Sequence, residues 1–124
     1  LSGTVRKRGL AMGMRSKRVE IQLKKEISRI LQEDIKDPRI GFVTVTRIDL
    51  TNDIRNAKVY FSVLGDDEKK SSSVEGIKSA AGYIRKLVGE RLKLKYVPEL
   101  TFKLDKSIEY SINLEKTFER LKNE

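Results

Sequence analysis

From Ser79 to Leu104 the chain reads SAAGYIRKLVGERLKLKYVPELTFKL, in which an apolar helical stripe, a cation cluster, a proline stop and an alternating strand follow without a gap. Ile77, Ala81, Ile84 and Val88 lie four, three and four residues apart, on one face of a 3.6-residue helix, and that face must be buried. Val97-Pro98 stops the helix and pushes the chain into extended structure. Leu100, Phe102 and Leu104 then alternate with Thr101 and Lys103 as a strand. Gly76, Gly82 and Gly89 each cost about 1 kcal/mol against alanine in a helix interior. The region 74–92 is therefore predicted as a helix, a bend at Ala80-Ala81-Gly82, and a second helix.

Upstream, Val19, Leu23, Ile27, Ile30 and Leu31 fall at helical spacing, predicting a helix from Ser16, its cap, to about Ile35, stopped by Asp37-Pro38. Phe42 to Leu50 is rich in β-branched residues and partly alternating, and Asn56 to Leu64 places Val59, Phe61 and Val63 on one face. With Thr51-Asn52-Asp53 as the turn, the two strands form a hairpin covered on one side. GDDEKKSSS, residues 65–73, reads as a loop, with Ser72 or Ser73 capping the helix after it. Asp66, Asp67 and Glu68 match no calcium-loop spacing, so no metal is assigned to them. Residues 107–124 form a tail in which Ile108, Ile112, Phe118 and Leu121 recur at near-helical spacing, a short helix at most. Residues 1–13, LSGTVRKRGLAMG, lack periodicity and read as an expression-tag remnant or a disordered basic arm. Both readings leave them outside the folded unit, 14–106.

Function is bounded first by what is missing. With neither cysteine nor histidine among 124 residues, thiolate chemistry, disulfides, cysteine zinc sites and the usual general base are excluded. No pairing of nucleophile and base can be assembled, and no glycine-rich loop followed by Lys and Ser or Thr exists, so neither an enzyme nor a phosphate-loop protein is expected. No cofactor is expected. No apolar run approaches the roughly 18 residues of a membrane span, and a cytoplasmic protein is expected.

Charge points to a partner. Lysine and arginine exceed the acids 27 to 18, a net +9, and the first thirteen residues hold only Arg6, Lys7 and Arg8 of that excess. A basic small domain suits a polyanion, nucleic acid before an anionic membrane. Lys78, Arg85, Lys86, Arg91, Lys93 and Lys95 follow one helix and its exit, set against Glu90, so their charges can track a phosphate backbone. At Ala80 and Gly82, small side chains let backbone amides approach it. Arg15, Lys17 and Arg18 crowd the expected N-terminus of the first helix, where the dipole disfavours cations and favours an anion. A stacking platform on the strands is not apparent: Tyr60 is one candidate, while Phe61 and Phe102 fall on the apolar phase. Each of these cations also has the ordinary reading of a solvated face.

Three segments in order, MRSKRVEIQLKKEISRILQ, DPRIGFVTVTRIDLTNDIRNAKVYFSVLG and AAGYIRKLVGERLKLKYVPELTFKLDKSIEY, resemble the ribosome-binding factor A family of bacterial small-subunit assembly factors. The resemblance covers Met14 to about Leu121 and implies an α+β, type II KH-like domain of order α-β-β-α-α-β. It implies a three-stranded mixed sheet with helices on one face. The family lacks the Gly-x-x-Gly loop of ordinary KH domains and carries Ala-x-Gly at a kink, here Ala80-Ala81-Gly82. The implied activity is non-enzymatic binding of the immature small ribosomal subunit and its ribosomal RNA by a monomer, supporting RNA precursor processing and growth in the cold. The rival reading is a basic interaction module that docks an acidic protein.

Overall fold

The computed structural model describes residues 2–107, with side chains from Met14 onward; the expected tail helix lies outside the described residues. The elements are α1 (Ser2–Arg29), a π-helical turn (Ile30–Asp34), β1 (Phe42–Leu50), β2 (Asn56–Leu64), α2 (Asp67–Arg91) and β3 (Glu99–Leu104). The α+β class and the three-stranded mixed sheet are as expected, and the strands lie in the order β1-β2-β3. β1 and β2 form the antiparallel hairpin, and β3 joins β2 in parallel after the crossover through α2.

Helix α1 begins well before Ser16, which corrects both the expected start and the expected cap. Apolar spacing locates a helix by its buried stripe and does not mark where its backbone hydrogen bonding begins. Ser16 lies buried inside α1, and its hydroxyl has no hydrogen-bond partner among the described residues. Val19, Leu23, Ile27, Ile30 and Leu31 are buried as their spacing requires. At its end the coil widens, with Ile35 N–H donating to Ile30 O over 3.0 Å, and the chain leaves α1 in extended geometry.

The second correction concerns the start of α2. Residues 67–73 are helical because Asp66 caps them, its carboxylate accepting from Lys69 N–H at 2.8 Å, with Asp67 and Glu68 placed favourably against the dipole. Ser72 and Ser73, expected as caps, instead face the chain that leads into β1. Ser72 Oγ donates to Arg39 O at 2.9 Å and the buried Ser73 Oγ accepts from Gly41 N–H at 2.9 Å.

Third, the expected helix pair is a single helix, Asp67–Arg91. Two of its glycines are retained by packing that compensates their propensity cost. A Cβ at Gly76 would stand 2.6 Å from Ile40 Cγ1, and one at Gly89 would stand 2.9 Å from Val97 Cγ2. At Gly82 a Cβ would meet nothing within 4 Å. Gly82→Ala should therefore stabilise the protein by about 0.5–1 kcal/mol. Gly76→Ala should destabilise it, since overpacking of about 1–3 kcal/mol exceeds the propensity gain. Paired urea melts of the two variants check both signs.

One parity change in β1 escapes simple alternation. A bulge between Val45 and Arg47 leaves Thr46 without a cross-strand partner, so that Val45 and then Ile48 both face the core. The bulged Thr46 donates from Oγ1 to Asp105 Oδ2 at 2.6 Å, tying β1 to the end of β3. Asp105 Oδ1 also accepts from Ser107 N–H at 3.0 Å and Ser107 Oγ at 2.6 Å. These bonds, those from Ser107 first, hold the Asp105 carboxyl below the ordinary aspartate value of 3.8. A depressed folded pKa stabilises the fold above the unfolded value, and the gain is lost as pH falls through the folded one. The stability gap between the parent and Asp105→Asn should thus be widest at neutral pH and shrink below about pH 4, as read by melts across the acid range.

The core forms where α1 and α2 cover one sheet face, with Phe61, Val59 and Phe102 meeting Leu23, Ile27, Ile77, Ile84 and Val88. No helix among the described residues is long and apolar enough to cross a membrane.

Candidate nucleic-acid interface

The segment between α2 and β3 is held in place by α2 itself. Leu92 closes the helix, its N–H donating to Val88 O at 2.9 Å, and Lys93 takes a left-handed φ of 40° that turns the chain back. The chain then runs against α2, where Val97 sits over Gly89 and Arg85 donates from Nε to Pro98 O at 3.1 Å and from a terminal nitrogen to Val97 O at 2.9 Å. Pinned on its inner side, this segment leaves Lys93, Lys95 and Tyr96 exposed.

Two grooves meet at that segment. The first, about 630 Å³, is lined by Gly82, Arg85, Lys86, Gly89 and Glu90 on α2 and by Lys95, Tyr96 and Val97 opposite. The second, about 410 Å³, is lined by Arg15 and Val19 of α1, by Asn52, Asp53 and Ile54 of the hairpin turn, and again by Lys93, Leu94, Lys95 and Tyr96. Lys95 and Tyr96 border both, so the two form one basic track from α2 across to α1. Among the described residues, Arg15, Lys86, Lys93 and Lys95 have no carboxylate partner. Asp53 is occupied: its Oδ1 accepts from Thr51 Oγ1 at 2.6 Å and from Arg55 N–H at 3.1 Å. The Thr51 bond, then that of Arg55, holds its pKa below 3.8. Glu90 is the other acid on the track.

The cations expected from the sequence therefore divide. Arg15, Arg85, Lys86, Lys93 and Lys95 come together with Gly82 on the track. Arg15, Lys17 and Arg18 lie within α1 rather than at its N-terminus, which corrects the dipole argument made for them. Lys17 pairs with Glu20 at 3.6 Å, and Arg18 is exposed on the same helix. Lys78 borders a different hollow, beside Arg47 and Lys103, and Ala80 is half-buried. Arg91, although exposed, is engaged by the protein's own acids, forking onto Asp34 at 2.8 and 3.0 Å and onto the buried Glu26 at 3.2 Å. Those bonds, Asp34 first, raise the Arg91 pKa above its ordinary value, and the guanidinium lowers that of Asp34. This clamp ties the end of α1 to the end of α2.

Sequence reasoning missed Tyr96 and Arg55. Tyr96 is 55% exposed. The Arg55 guanidinium and the Lys95 ammonium lie 5.6 and 5.7 Å from its ring centre. Tyr60, the expected aromatic candidate, is half-buried beneath Arg47, whose guanidinium sits 4.1 Å from the ring centre. The available signal for Tyr96 was its place two residues before Pro98, in a stretch of neither helical nor strand periodicity.

An α+β domain of order α-β-β-α-β, with a basic track along the second helix and Arg85 rather than a glycine three residues after Gly82, defines the class. The family model described as ribosome-binding factor A matches residues 15–118. A ribosome-binding factor A from Caldanaerobacter subterraneus is 50% identical over 111 residues, covering 89% of this chain and 91% of that one. One from Halothermothrix orenii is 46% identical over 110 residues, covering 89% and 90%. The chain belongs to the ribosome-binding factor A family. Among solved structures, a Thermotoga maritima protein studied by solution NMR aligns with a TM-score of 0.64 at 35% identity, over 72% of this chain and 85% of that one. A homology model of the Thermus thermophilus ribosome-binding factor A, fitted into a cryo-EM map of a 30S complex, aligns with a TM-score of 0.61 at 22% identity, over 72% and 93%.

Proposed function

We propose that this protein binds the immature small ribosomal subunit through its ribosomal RNA, without catalysis, in support of RNA precursor processing and cold adaptation. The continuous track joining Gly82, Lys86 and Lys95 to Lys93 and Arg15 carries this reading. Cations without internal partners along a groove supply phosphate neutralisation, and an exposed glycine lets the RNA backbone come close to the helix. Kinship with ribosome-binding factors selects the polyanion, since charge alone supports only non-specific association.

Sedimentation of the full chain with mature and immature small subunits, over a range of salt, tests the proposal. Binding should favour immature subunits and weaken with salt, the log–log slope falling by about 0.7–0.9 for each phosphate contact removed. A flat salt response, or capture of acidic proteins with no dependence on RNA, would sink it in favour of a protein-docking module.

A further inference from the structure

We propose that Tyr96 is a stacking seat for an unpaired base, so that the RNA on the track is a single strand rather than a helix. This rests on the RNA reading above and narrows the substrate class. Three observations carry it. Tyr96 is more than half exposed and borders both grooves, so it stands where a backbone passing between them would present its bases. A base held in a helix keeps its faces stacked on its neighbours, and only an unpaired strand can lay one on a protein ring.

The ring's surroundings fit that use. Arg55 and Lys95 lie farther from the Tyr96 centre, at 5.6 and 5.7 Å, than Arg47 lies from that of Tyr60, at 4.1 Å. The Arg55 guanidinium makes no ion pair among the described residues, the bond to Asp53 coming from its backbone N–H, so it is available to a phosphate or to the second face of the base. Finally, the seat is preorganised. Ile54 and Lys93, with φ of 61° and 40°, are the non-glycine residues found with positive φ among those described, and both line the groove that Tyr96 borders. Such conformations persist where the surroundings over-determine them, and Arg85 bonded to Val97 O and Pro98 O supplies part of that restraint. A rigid seat reduces the ordering cost of binding.

The test is equilibrium binding of the full chain to a short oligoribonucleotide in three forms: single-stranded, annealed to its complement, and single-stranded with abasic sites. Parent, Tyr96→Phe, Tyr96→Ala and Lys86→Glu proteins are compared. Parent protein should prefer the single strand to the duplex and bind the abasic strand more weakly. Tyr96→Phe should match it, and Tyr96→Ala should lose roughly 5- to 150-fold on the intact strand with little change on the abasic one. Tyr96→Ala binding as well as the parent, or a parent indifferent to abasic sites, overturns the seat. If Lys86→Glu still loses affinity in that case, the RNA reading stands without it. Failure of the parent to bind any of the three forms removes that reading and the seat together. The abasic comparison uses the parent alone and does not depend on how well a variant folds.

Discussion

Reversal of Lys86 and Lys95 to glutamate together is expected to lower affinity for immature small subunits on the order of tenfold or more at physiological salt, and to flatten the salt dependence. Both side chains are exposed on opposite walls of the first groove and have no carboxylate partner among the described residues. Removing two phosphate contacts takes about 1.4–1.8 from the log–log slope, and the new carboxylates add repulsion along the same path. Stability should hardly change, since neither lysine takes part in the core. Arg91→Gln is the informative contrast. It leaves the buried Glu26 without its partner and opens the clamp between α1 and α2, so it should lower the melting temperature while keeping the salt slope of the parent. Sedimentation across a salt series beside thermal melts separates the two behaviours, and equal binding by the lysine double variant and the parent would remove the track from the mechanism.

Phe61→Ala is expected to cost about 3–5 kcal/mol, a large share of the 5–15 kcal/mol typical of a domain. Phe61 is 1% exposed at the centre of β2, with β1 on one side and β3 on the other, and Asp105 N–H donates to its carbonyl at 2.7 Å. Truncation leaves a cavity under both helices that the sheet cannot close, because its register is held on both sides. The loss is read from a urea midpoint that falls with an unchanged m-value. A loss below about 1 kcal/mol would mean that the core repacks around the site.

The bounds of the hairpin strands were legible, Phe42–Leu50 from its β-branched content and Asn56–Leu64 from a half-buried strand's alternation, while the bulge at Thr46 was not. Helix ends were less so. Serines at 16, 72 and 73 looked like caps, yet two of them face other parts of the chain and one is simply buried, since a hydroxyl near a helix start has several places to bond. The glycines of α2 suggested a broken helix; two of the three are instead points of close approach to Ile40 and Val97, contacts that lie outside any local window. Among the candidate cations, type and number were plain, but nothing local distinguishes Arg91, spent on Glu26 and Asp34, from Lys86, which faces open space.

By itself, then, the sequence determined the α+β class, the core faces, the basic character and the absence of histidine and cysteine chemistry, because these depend on composition and on periods of two and 3.6 residues. Only the tertiary structure decided which cations are occupied and which remain available. Ion pairs such as Arg91 with Asp34 close between residues far apart in the chain. It also brought Arg15, the turn at Ile54 and the segment from Lys93 to Tyr96 to the border of one groove. That meeting follows from α1, the hairpin and the end of α2 packing on one sheet, and no spacing along the chain encodes it.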